Sequence, residues 1–302
     1  MTQIAKKNED SLRGFLYALA AYILWGFLPL YMKALAHVPP QEVIAHRVLW
    51  SLPIAALVLF YQGRTADLRL AFRTPSTLLM GAVTATLISV NWGFYVWAIG
   101  AGHTLDAALG YYINPLFSIL LGAFLLQERI APLQKIAIVL AALAVVILTV
   151  DLGRLPIVAI ALTFSWGFYA YFKKQLPIGP NQGFTLEVLL LTPLALGYML
   201  YLYLTQGGHF LMGNTTDTIL LFGCGIVTAV PLMFYANGAK GLRLSTIGVL
   251  QYLTPTMILL TAVFIFNEPF GPARMIAFPM IWAALALYTL SMFRDRARKP
   301  AR

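Results

Sequence analysis

The sequence predicts an all-α integral membrane protein with ten transmembrane helices. Its residues are 60% hydrophobic and only 11% charged, whereas a soluble globular chain is about 25% charged. The apolar residues are gathered in ten continuous runs, each about long enough to cross a bilayer. Lys and Arg fall almost entirely in alternate connections between these runs, as expected when successive helices cross in opposite directions.

The ten predicted spans are joined by short connections that leave no room for a soluble domain. Helices are favoured over a β-barrel, because the apolar runs are long and continuous rather than short and alternating. Residues 1–13 are polar, and the first apolar run lacks a small-residue cleavage site, so we expect it to be retained as a span rather than removed as a signal peptide. The spans are expected near residues 14–36, 42–61, 76–100, 105–126, 131–150, 154–173, 183–204, 218–239, 244–267 and 273–293.

The positions of the basic residues predict that both termini are cytoplasmic. With the N-terminus inside, the outer connections hold only Arg154 and Arg274, and Lys33 and Arg47 fall within spans. The remaining seventeen of the 21 Lys and Arg lie in inner segments: 6, 7, 13, 64, 69, 73, 129, 135, 173, 174, 240, 243, 294, 296, 298, 299 and 302. The expected location is the bacterial cytoplasmic (inner) membrane.

Several other classes of protein are disfavoured by the composition. The net charge of +10 is scattered between apolar runs, so it forms no basic face for nucleic acid. The single cysteine, Cys224, excludes a disulfide framework and a cysteine-rich metal site. No G-x-x-x-x-G-K-[ST] motif is present, so ATP binding by this motif is not expected. We expect no cofactor, no metal and no obligatory protein partner.

An internal repeat divides the chain into two halves. A shift of 140 residues aligns "FYVWAIGAGHTLDAALGYYINPLFSILLGAFLLQERIAP", which starts at Phe94, with "FYANGAKGLRLSTIGVLQYLTPTMILLTAVFIFNEPFGP", which starts at Phe234. A shift of 141 aligns "WGF" at Trp25 with "WGF" at Trp166. The predicted organisation is a cytoplasmic segment at 1–13, a first five-helix repeat at 14–150, a second at 151–293 and a basic tail at 294–302.

Because each repeat has five spans, the second is inserted in the opposite orientation to the first. Glu128 should then face the cytoplasm, and its equivalent Glu268 should face outward. Inverted repeats are typical of transporters that bind substrate near mid-membrane, where the two repeats meet.

The sequence resembles a known family in several segments. "GFLYALAAYILWGFLPLYMKAL", "QEVIAHRVLWS", "NWGFYVWAI" and "ALGYYINPL" resemble the RarD type of the EamA domains, which belong to the drug/metabolite transporter (DMT) superfamily. The resemblance covers nearly the whole chain but is looser in the second half, which has "LQYLTP" in place of "LGYYINP" and no His-Arg pair in its second helix. It implies a ten-helix fold around a central cavity, with export as the typical direction, and it does not supply the substrate.

His46 and Arg47 stand together in the otherwise apolar second span. Arg47 is roughly 7–8 Å into the helix, so it could extend to the outer interface or pair with Glu42. Alternatively, it faces the cavity and binds a substrate carboxylate or phosphate. His46 could carry a proton near neutral pH, or it could be a structural hydrogen-bonding residue. These alternatives are left open here, as is a proton as coupling ion.

Aromatic residues are candidates for the cavity walls. Tyr22 and Trp25 share a helix face with Pro29 and Lys33, and Trp25 lies mid-helix rather than in the interfacial belt. Trp166 is its equivalent, with Tyr169 one turn later. The alternative for both tryptophans is plain helix packing, and Lys33 is best explained by reaching the outer interface.

The remaining candidates lie on spans three, four and nine. Asn91 must find a partner on a neighbouring helix or on a ligand. Proline frees a backbone carbonyl one turn earlier, so the three prolines could act as hinges, or they could be kinks that serve packing alone. The substrate-binding candidates here are Asn91, Tyr95, Tyr112, Asn114 and Tyr252, and the hinge candidates are Pro29, Pro115 and Pro255.

Together these features predict a transporter of small organic metabolites or drugs that works by alternating access. Its expected partners are the small-molecule substrate and the lipid bilayer. The alternative is an integral-membrane enzyme acting on a lipid-soluble substrate, which would need paired carboxylates or a metal cluster at depth. The acidic residues lie at predicted helix ends or in loops, so we expect no catalytic residues.

Overall fold

A computed structural model describes residues 11–125, 131–153, 155–212, 214–240, 242 and 250–297. These residues form eleven α-helices and one π-helical segment, and no strand occurs among them. The helices are α1 Leu12–Ala34, α2 Pro40–Tyr61, α3 Thr65–Arg73, α4 Pro75–Gly100, α5 Thr104–Leu125, α6 Pro132–Leu152, α7 Ile157–Gln175, α8 Pro180–Thr205, α9 Thr215–Lys240, α10 Leu253–Leu260 and α11 Pro272–Ala297, and the π-helical segment is Thr261–Ile265.

Proline marks the start of five of these helices: Pro40, Pro75, Pro132, Pro180 and Pro272. The first backbone N–H of a helix has no partner within the helix, so the N–H that proline lacks costs nothing there, and its fixed φ favours the helical conformation. For most of the described helices, the ends lie within a few residues of the predicted span ends.

Seven of the described helices are long and apolar enough to cross a membrane, judged by length and composition. They are α1, α2, α4, α6, α8, α9 and α11, and two shorter apolar helices lie at Ile157–Lys173 and Leu253–Ile265. The start of the ninth predicted span, at 244–249, lies outside the described residues. The chain is therefore a multi-pass membrane protein, and the count of ten spans stays a prediction.

The short helix α3 was not expected, because residues 62–75 were assigned to a connection. Its sequence TADLRLAFR is too short and too polar to span. It is amphipathic: Ala71 is buried, whereas Asp67 is half exposed beside Arg64. A helix of this kind lies along the end of the bundle rather than through it.

The contacts between the two predicted halves come in matched pairs. Helix α1 packs on α9, and the equivalent helices of the other half, α7 and α4, also pack on each other. Helix α1 packs on α10 as well, and the equivalent pair is α7 with α5. In the same way, α2 packs on α9, and its equivalent α8 packs on α4. Three further contacts each join a helix to its own equivalent in the other half: α2–α8, α5–α10 and α6–α11. A two-fold axis between the halves would produce this pattern.

The glycine of each "WGF" segment allows two helices to approach closely. A side chain at Gly26 would overlap Met257 on α10, and one at Gly167 would overlap Phe117 on α5. Met257 lies 140 residues after Phe117, so the two contacts are themselves equivalent. Small residues at helix crossings permit backbone approach in membrane proteins, which gives these glycines a packing role in both halves.

Polar contacts join the two halves at the end that holds the α1–α2 turn, residues 35–39, which we call the turn end. Glu268 accepts hydrogen bonds from the backbone N–H of Thr104 and of Leu105, at 2.8 and 3.0 Å, and so caps α5. Glu42 contacts His209 in the α8–α9 connection. Glu128, the predicted equivalent of Glu268, lies outside the described residues.

The opposite end of the bundle, which we call the α3 end, has its own contacts between the halves. The Asn181 side chain donates to Gln62, at 3.2 Å, and the Gln182 side chain donates to Asp67, at 3.0 Å. These contacts attach the start of α8 to the end of α2 and to α3. Polar contacts therefore join the halves at both ends of the bundle.

Candidate functional site

A cavity of about 100 Å³ lies between the two halves of the chain. Residues of α1, α2, α4 and α5 form one side of it, and residues of α7, α9 and α10 with the turn before α10 form the other. Its walls are largely aromatic, with a few polar groups among the rings. The lining residues are Tyr22, Trp25, Leu28, Arg47, Asn91, Trp92, Tyr95, Tyr111, Asn114, Trp166, Leu232, Tyr235, Gln251, Thr254, Pro255 and Ile258.

Arg47 is the charged residue among these lining residues, and only 3% of its surface is exposed. Its Nε donates a hydrogen bond to the Thr228 hydroxyl on α9, at 2.9 Å, so the contact crosses between the halves. Its guanidinium carbon lies 4.6 Å from the centre of the Trp92 ring. Its Nη1 is buried and has no hydrogen-bond partner among the residues that the structure describes. Part of the hydrogen-bonding capacity of this cavity-lining guanidinium is therefore unused there.

Neither explanation that kept Arg47 away from the cavity agrees with this geometry. Arg47 does not reach an interface, and Glu42 is engaged elsewhere: one oxygen accepts from the backbone N–H of His209, at 2.6 Å, and the other lies 2.8 Å from His209 Nδ1. Within the described residues, no carboxylate lies within 4.0 Å of the Arg47 guanidinium.

The neighbouring His46 belongs to a different face of α2. Its Nδ1 accepts a hydrogen bond from Trp50 Nε1, at 2.9 Å, and its ring packs on Phe210, with the ring centres 4.7 Å apart. Glu42, His46 and Trp50 are spaced four residues apart and thus form one stripe, which packs against the α8–α9 connection. Arg47 is rotated by about 100° from His46, and this rotation turns it into the cavity.

The two "WGF" tryptophans, one from each half of the chain, contact each other in the wall of the cavity. The rings of Trp25 and Trp166 lie edge to face, with centres 6.2 Å apart and planes at 83°. Trp25 also contacts Tyr22, at 5.7 Å, and Tyr235, at 5.6 Å. Edge-to-face contacts of this kind stabilise ring clusters beyond their buried area, so these rings hold one another in place in the aromatic wall.

Asn91 uses its side chain to join three helices. Its amide nitrogen donates to the Leu162 carbonyl, at 3.2 Å, and to the Ser165 hydroxyl, at 2.9 Å, both on α7. Its amide oxygen accepts from the Tyr111 hydroxyl on α5, at 3.2 Å. Of the two partners considered for Asn91, a neighbouring helix is therefore the one observed. Its effect on the cavity is to position Tyr111.

The chain around Pro255 is interrupted where it lines the cavity. Gln251 and Tyr252 form a turn before α10, and Pro255 lies in the first turn of that helix. The Thr254 hydroxyl donates to the Tyr22 carbonyl, at 2.8 Å, and so ties this interruption to α1. Pro29 and Pro115, by contrast, lie inside continuous helices. A hinge role for the three prolines stays a prediction.

Seven of the eleven predicted binding residues line the cavity: Tyr22, Trp25, Arg47, Asn91, Tyr95, Asn114 and Trp166. The other four do not. His46 packs on Phe210 as described above. The Tyr112 hydroxyl lies 2.7 Å from that of Thr256. Tyr169 donates to Glu187, at 3.3 Å. Tyr252 is partly buried, one residue beyond the cavity-lining Gln251.

The residues that the sequence analysis missed are mostly neighbours of those it selected. Tyr111, rather than Tyr112, shares a helix face with Asn114, because they are three residues apart. Tyr235 is the equivalent of Tyr95 under the shift of 140, so the repeat could have found it. Trp92 and Thr228 carried no comparable signal, since their role depends on packing against Arg47.

A single family model matches both halves of the chain. A sequence model described as the EamA-like transporter family matches residues 12–150 and again residues 155–290. The two matches together cover most of the chain.

Relatives that match over nearly their full length are named as a transporter or as RarD proteins. The chain is 39% identical over 298 residues to the "Uncharacterized transporter YojE" of Bacillus subtilis, covering 97% of this chain and 99% of the relative. It is 37% identical over 290 residues to "Protein RarD" of Escherichia coli, covering 96% and 98%. It is 31% identical to the "Chloramphenicol-sensitive protein RarD" of Pseudomonas aeruginosa over 296 residues, covering 95% and 98%.

A solved crystal structure shares the fold. It superposes with a TM-score of 0.60 at 22% sequence identity, and the match covers 95% of this chain and 99% of that chain. At this identity the likeness concerns the arrangement of the helices alone.

Proposed function

We propose that this chain, which belongs to the EamA-like transporter family, carries small organic anions across the membrane by alternating access through its central cavity. The family and the names of its relatives make it a membrane transporter. The class of substrate, the mode of access and the direction are the proposal.

The observation that carries the proposal is the burial of Arg47 and the contacts that its guanidinium makes. A cation buried in a membrane protein costs about 2.5–3.5 kcal/mol on insertion scales, and here Thr228 and a ring face are its contacts in place of a carboxylate. Hydrogen bonds to charged groups are worth about 1.5–3 kcal/mol. An anion on the free side of the guanidinium would supply such bonds and would neutralise the charge.

The rest of the cavity favours a substrate with an apolar or aromatic body. Rings from Tyr22, Trp25, Trp166 and Tyr235 form much of the wall. Pockets of this composition bind the body of a small molecule through apolar contact, and a few polar groups fix its orientation. Asn114 and Gln251 are additional polar groups on this wall.

The proposed architecture has ten spans in two inverted repeats. The matched helix pairs and the double match to the family support it. Access would alternate as the halves rock against each other around the cavity. The contacts between Glu42 and His209 at the turn end, and between Gln182 and Asp67 at the α3 end, would then open in turn.

The proposed location is the bacterial cytoplasmic membrane, with the turn end outward and both termini in the cytoplasm. The distribution of Lys and Arg supports this orientation, since α3 and its arginines then lie inside. Export is the direction that the family resemblance implies.

The proposal can be tested by counterflow in proteoliposomes. The first probe is benzenesulfonate, which pairs an aromatic ring with a permanently ionised group that does not cross lipid by itself. Its matched control is the neutral benzenesulfonamide, and further aromatic carboxylates and phosphates are tested with their neutral amides and esters. We expect counterflow of anions and little of the neutral analogues, and we expect Arg47→Met to abolish it.

Two outcomes would contradict the proposal. One is protein-dependent movement of the neutral or cationic members of the panel in preference to the anions. The other is unchanged anion counterflow by Arg47→Met, provided that the variant is inserted and monodisperse. Arg47→Lys is the informative companion, because it keeps the charge but loses the forked donor geometry.

A further inference from the structure

A second buried charged group lies in the other half of the chain. Lys173, in the last turn of α7, contacts Glu187 on α8, with Nζ 2.6 Å from Oε1. The Glu187 side chain is 2% exposed and that of Lys173 is 20% exposed. Glu187 is seven residues from the start of α8, or about 10 Å along the helix axis. The sequence pattern predicts carboxylates at helix ends or in loops, and the buried position of Glu187 inside α8 differs from this prediction.

The packing around Lys173 makes room for the ion pair. A side chain at Gly183, one turn before Glu187 on α8, would lie 3.2 Å from Lys173 Nζ. The ammonium also lies 5.5 Å from the centre of the Tyr169 ring. The remaining exposure of Lys173 lies near the α3 end, because α7 ends there and α8 begins there. Water can therefore reach the pair from that end.

Tyr169 connects the ion pair to the cavity wall. Its hydroxyl donates to Glu187 Oε2, at 3.3 Å, so both oxygens of the carboxylate have a partner. Its ring packs on Trp166, with centres 5.6 Å apart, and Trp166 lines the cavity. A change in the charge of Glu187 would therefore affect the cavity-lining Trp166 through the Tyr169 side chain.

The other helices that pack on α8 bring no described cation within 4.0 Å of Glu187. Helix α3 brings Asp67, which contacts Gln182 and Arg64, and two further arginines, Arg69 and Arg73. Helix α2 brings Glu42 and His46 to the α8–α9 connection and turns Arg47 into the cavity.

Helices α4 and α9 present no counter-ion to Glu187 either. The ionisable side chain of α4 is Tyr95, which lines the cavity. On α9, Asp217 contacts His37 at the turn end, Tyr235 lines the cavity and Cys224 is buried. Among the described residues, Lys173 is the cation within 4.0 Å of Glu187.

Stability alone is a weak explanation for this pair. Burying two charges costs desolvation that their attraction barely repays, and apolar residues of similar volume often stabilise as well. The pair also lies within one half of the chain, on α7 and α8, so it does not hold the halves together. Ionisable groups buried in membrane spans commonly mark proton or ion sites.

We propose that Glu187 is the proton-binding site that couples transport to the proton gradient, with Lys173 as its counter-ion and Tyr169 as its link to the cavity. This rests on the proposed function, since coupling presupposes a transported substrate. A proton from water at the α3 end bonds to a Glu187 oxygen, while Lys173 keeps its own proton. The neutral acid then attracts Lys173 and Tyr169 less strongly, which frees the wall beside Trp166 to move.

The test is charge displacement on a solid-supported membrane. Proteoliposomes of the full-length chain receive a jump from neutral to mildly acidic buffer with no substrate present, and the transient current is recorded. We expect a transient for the unmodified protein, because a proton enters a buried site. We expect Glu187→Gln to reduce it to the background of empty liposomes. Asp151→Asn, at an exposed carboxylate near the end of α6, should leave the transient unchanged.

Tyr169→Phe provides a second variant if Glu187→Gln fails to insert. It keeps the ion pair but removes the hydroxyl that joins Glu187 to the cavity wall, so the transient should remain while a pH gradient drives anion counterflow less well. A full-sized transient in Glu187→Gln would overturn the proposal. Anion counterflow that a pH gradient drives equally well in Tyr169→Phe would also overturn it, as would the absence of any transient in the unmodified protein.

The failure of this inference can be distinguished from the failure of the proposed function. If anion counterflow is present and a pH gradient does not drive it, the coupling site is wrong and the carrier stands. If a Glu187-dependent transient is present while no anion of the panel moves, the substrate class is wrong and the proton site stands.

Discussion

Trp25 and Trp166 are 141 residues apart in the sequence, yet their rings meet edge to face in the cavity wall with centres 6.2 Å apart. Each belongs to a "WGF" segment whose glycine admits a neighbouring helix. The contact therefore lies where the two halves meet, and its geometry depends on how one half is placed against the other. Any movement of the halves must change it.

We expect Trp25→Ala to lower anion counterflow and Trp25→Phe to retain most of it. An aromatic pair contributes about 0.5–1.5 kcal/mol beyond its buried area, so the alanine variant should lose roughly threefold to tenfold in apparent affinity. The measurement is the concentration dependence of counterflow. Trp97→Ala is the control, because Trp97 is 46% exposed outside the cavity. Equal losses in both variants would remove the special role of Trp25.

Thr228 should act through Arg47. Thr228→Val removes the hydroxyl that holds Arg47 Nε at 2.9 Å, and a hydrogen bond to a charged group is worth about 1.5–3 kcal/mol. We expect a loss of roughly tenfold or more in anion counterflow, with near-normal activity in Thr228→Ser. A valine variant that transports as well as the serine variant would show that Arg47 needs no such support.

The close approach at Gly167 predicts a coupled effect on stability. Gly167→Ala should destabilise the protein by about 1–3 kcal/mol, because its new methyl group overlaps Phe117. In a Phe117→Ala background the same change should cost much less, and a thermal-denaturation double-mutant cycle measures the difference. Gly197→Ala serves as control, since nothing lies within 4 Å of that position. Additive costs would contradict the contact.

Glu42 should stabilise the turn end. Glu42→Ala leaves the His209 backbone N–H and ring without the carboxylate that contacts both, so we expect a loss of about 1–3 kcal/mol in thermal denaturation. Glu42→Gln should lose less, because its amide oxygen can still accept. The exposed Asp151, near the end of α6, is the comparison, and Asp151→Ala should change stability by about 0.5 kcal/mol or less. The prediction fails if both alanine variants melt alike.

The proposed orientation can be checked by cysteine labelling in intact cells. Ala101 lies at the turn end and Thr65 at the α3 end, and both are exposed. Ala101→Cys should react with a membrane-impermeant maleimide from outside, whereas Thr65→Cys should react after permeabilisation only. The unmodified chain is the background, because its Cys224 is buried. The reverse pattern would invert the proposed orientation and with it the placement of both termini.

Much of the site could be predicted from the sequence because it depends on helical periodicity and on the repeat. Tyr22 and Trp25 were found because they share a helix face, and Trp166 was found because it is equivalent to Trp25. The choice of Tyr112 over Tyr111 failed for the opposite reason. Two adjacent tyrosines differ by about 100° around the helix, and both faces of α5 are apolar, so the pattern could not tell which face met the cavity.

Composition, run length and the matching halves were sufficient to predict a helical membrane protein, because lipid requires each span to satisfy its own backbone. They also indicated which helix faces carried polar and aromatic residues. Only the tertiary structure decided that Arg47 turns to Thr228 and Trp92, that Glu42 contacts His209, and that Glu187 pairs with Lys173 behind the cavity wall. Each of these contacts except the last joins helices distant in the chain, and all depend on the rotation of each helix about its own axis. That rotation is set by packing against neighbours, which periodicity along a single helix does not specify.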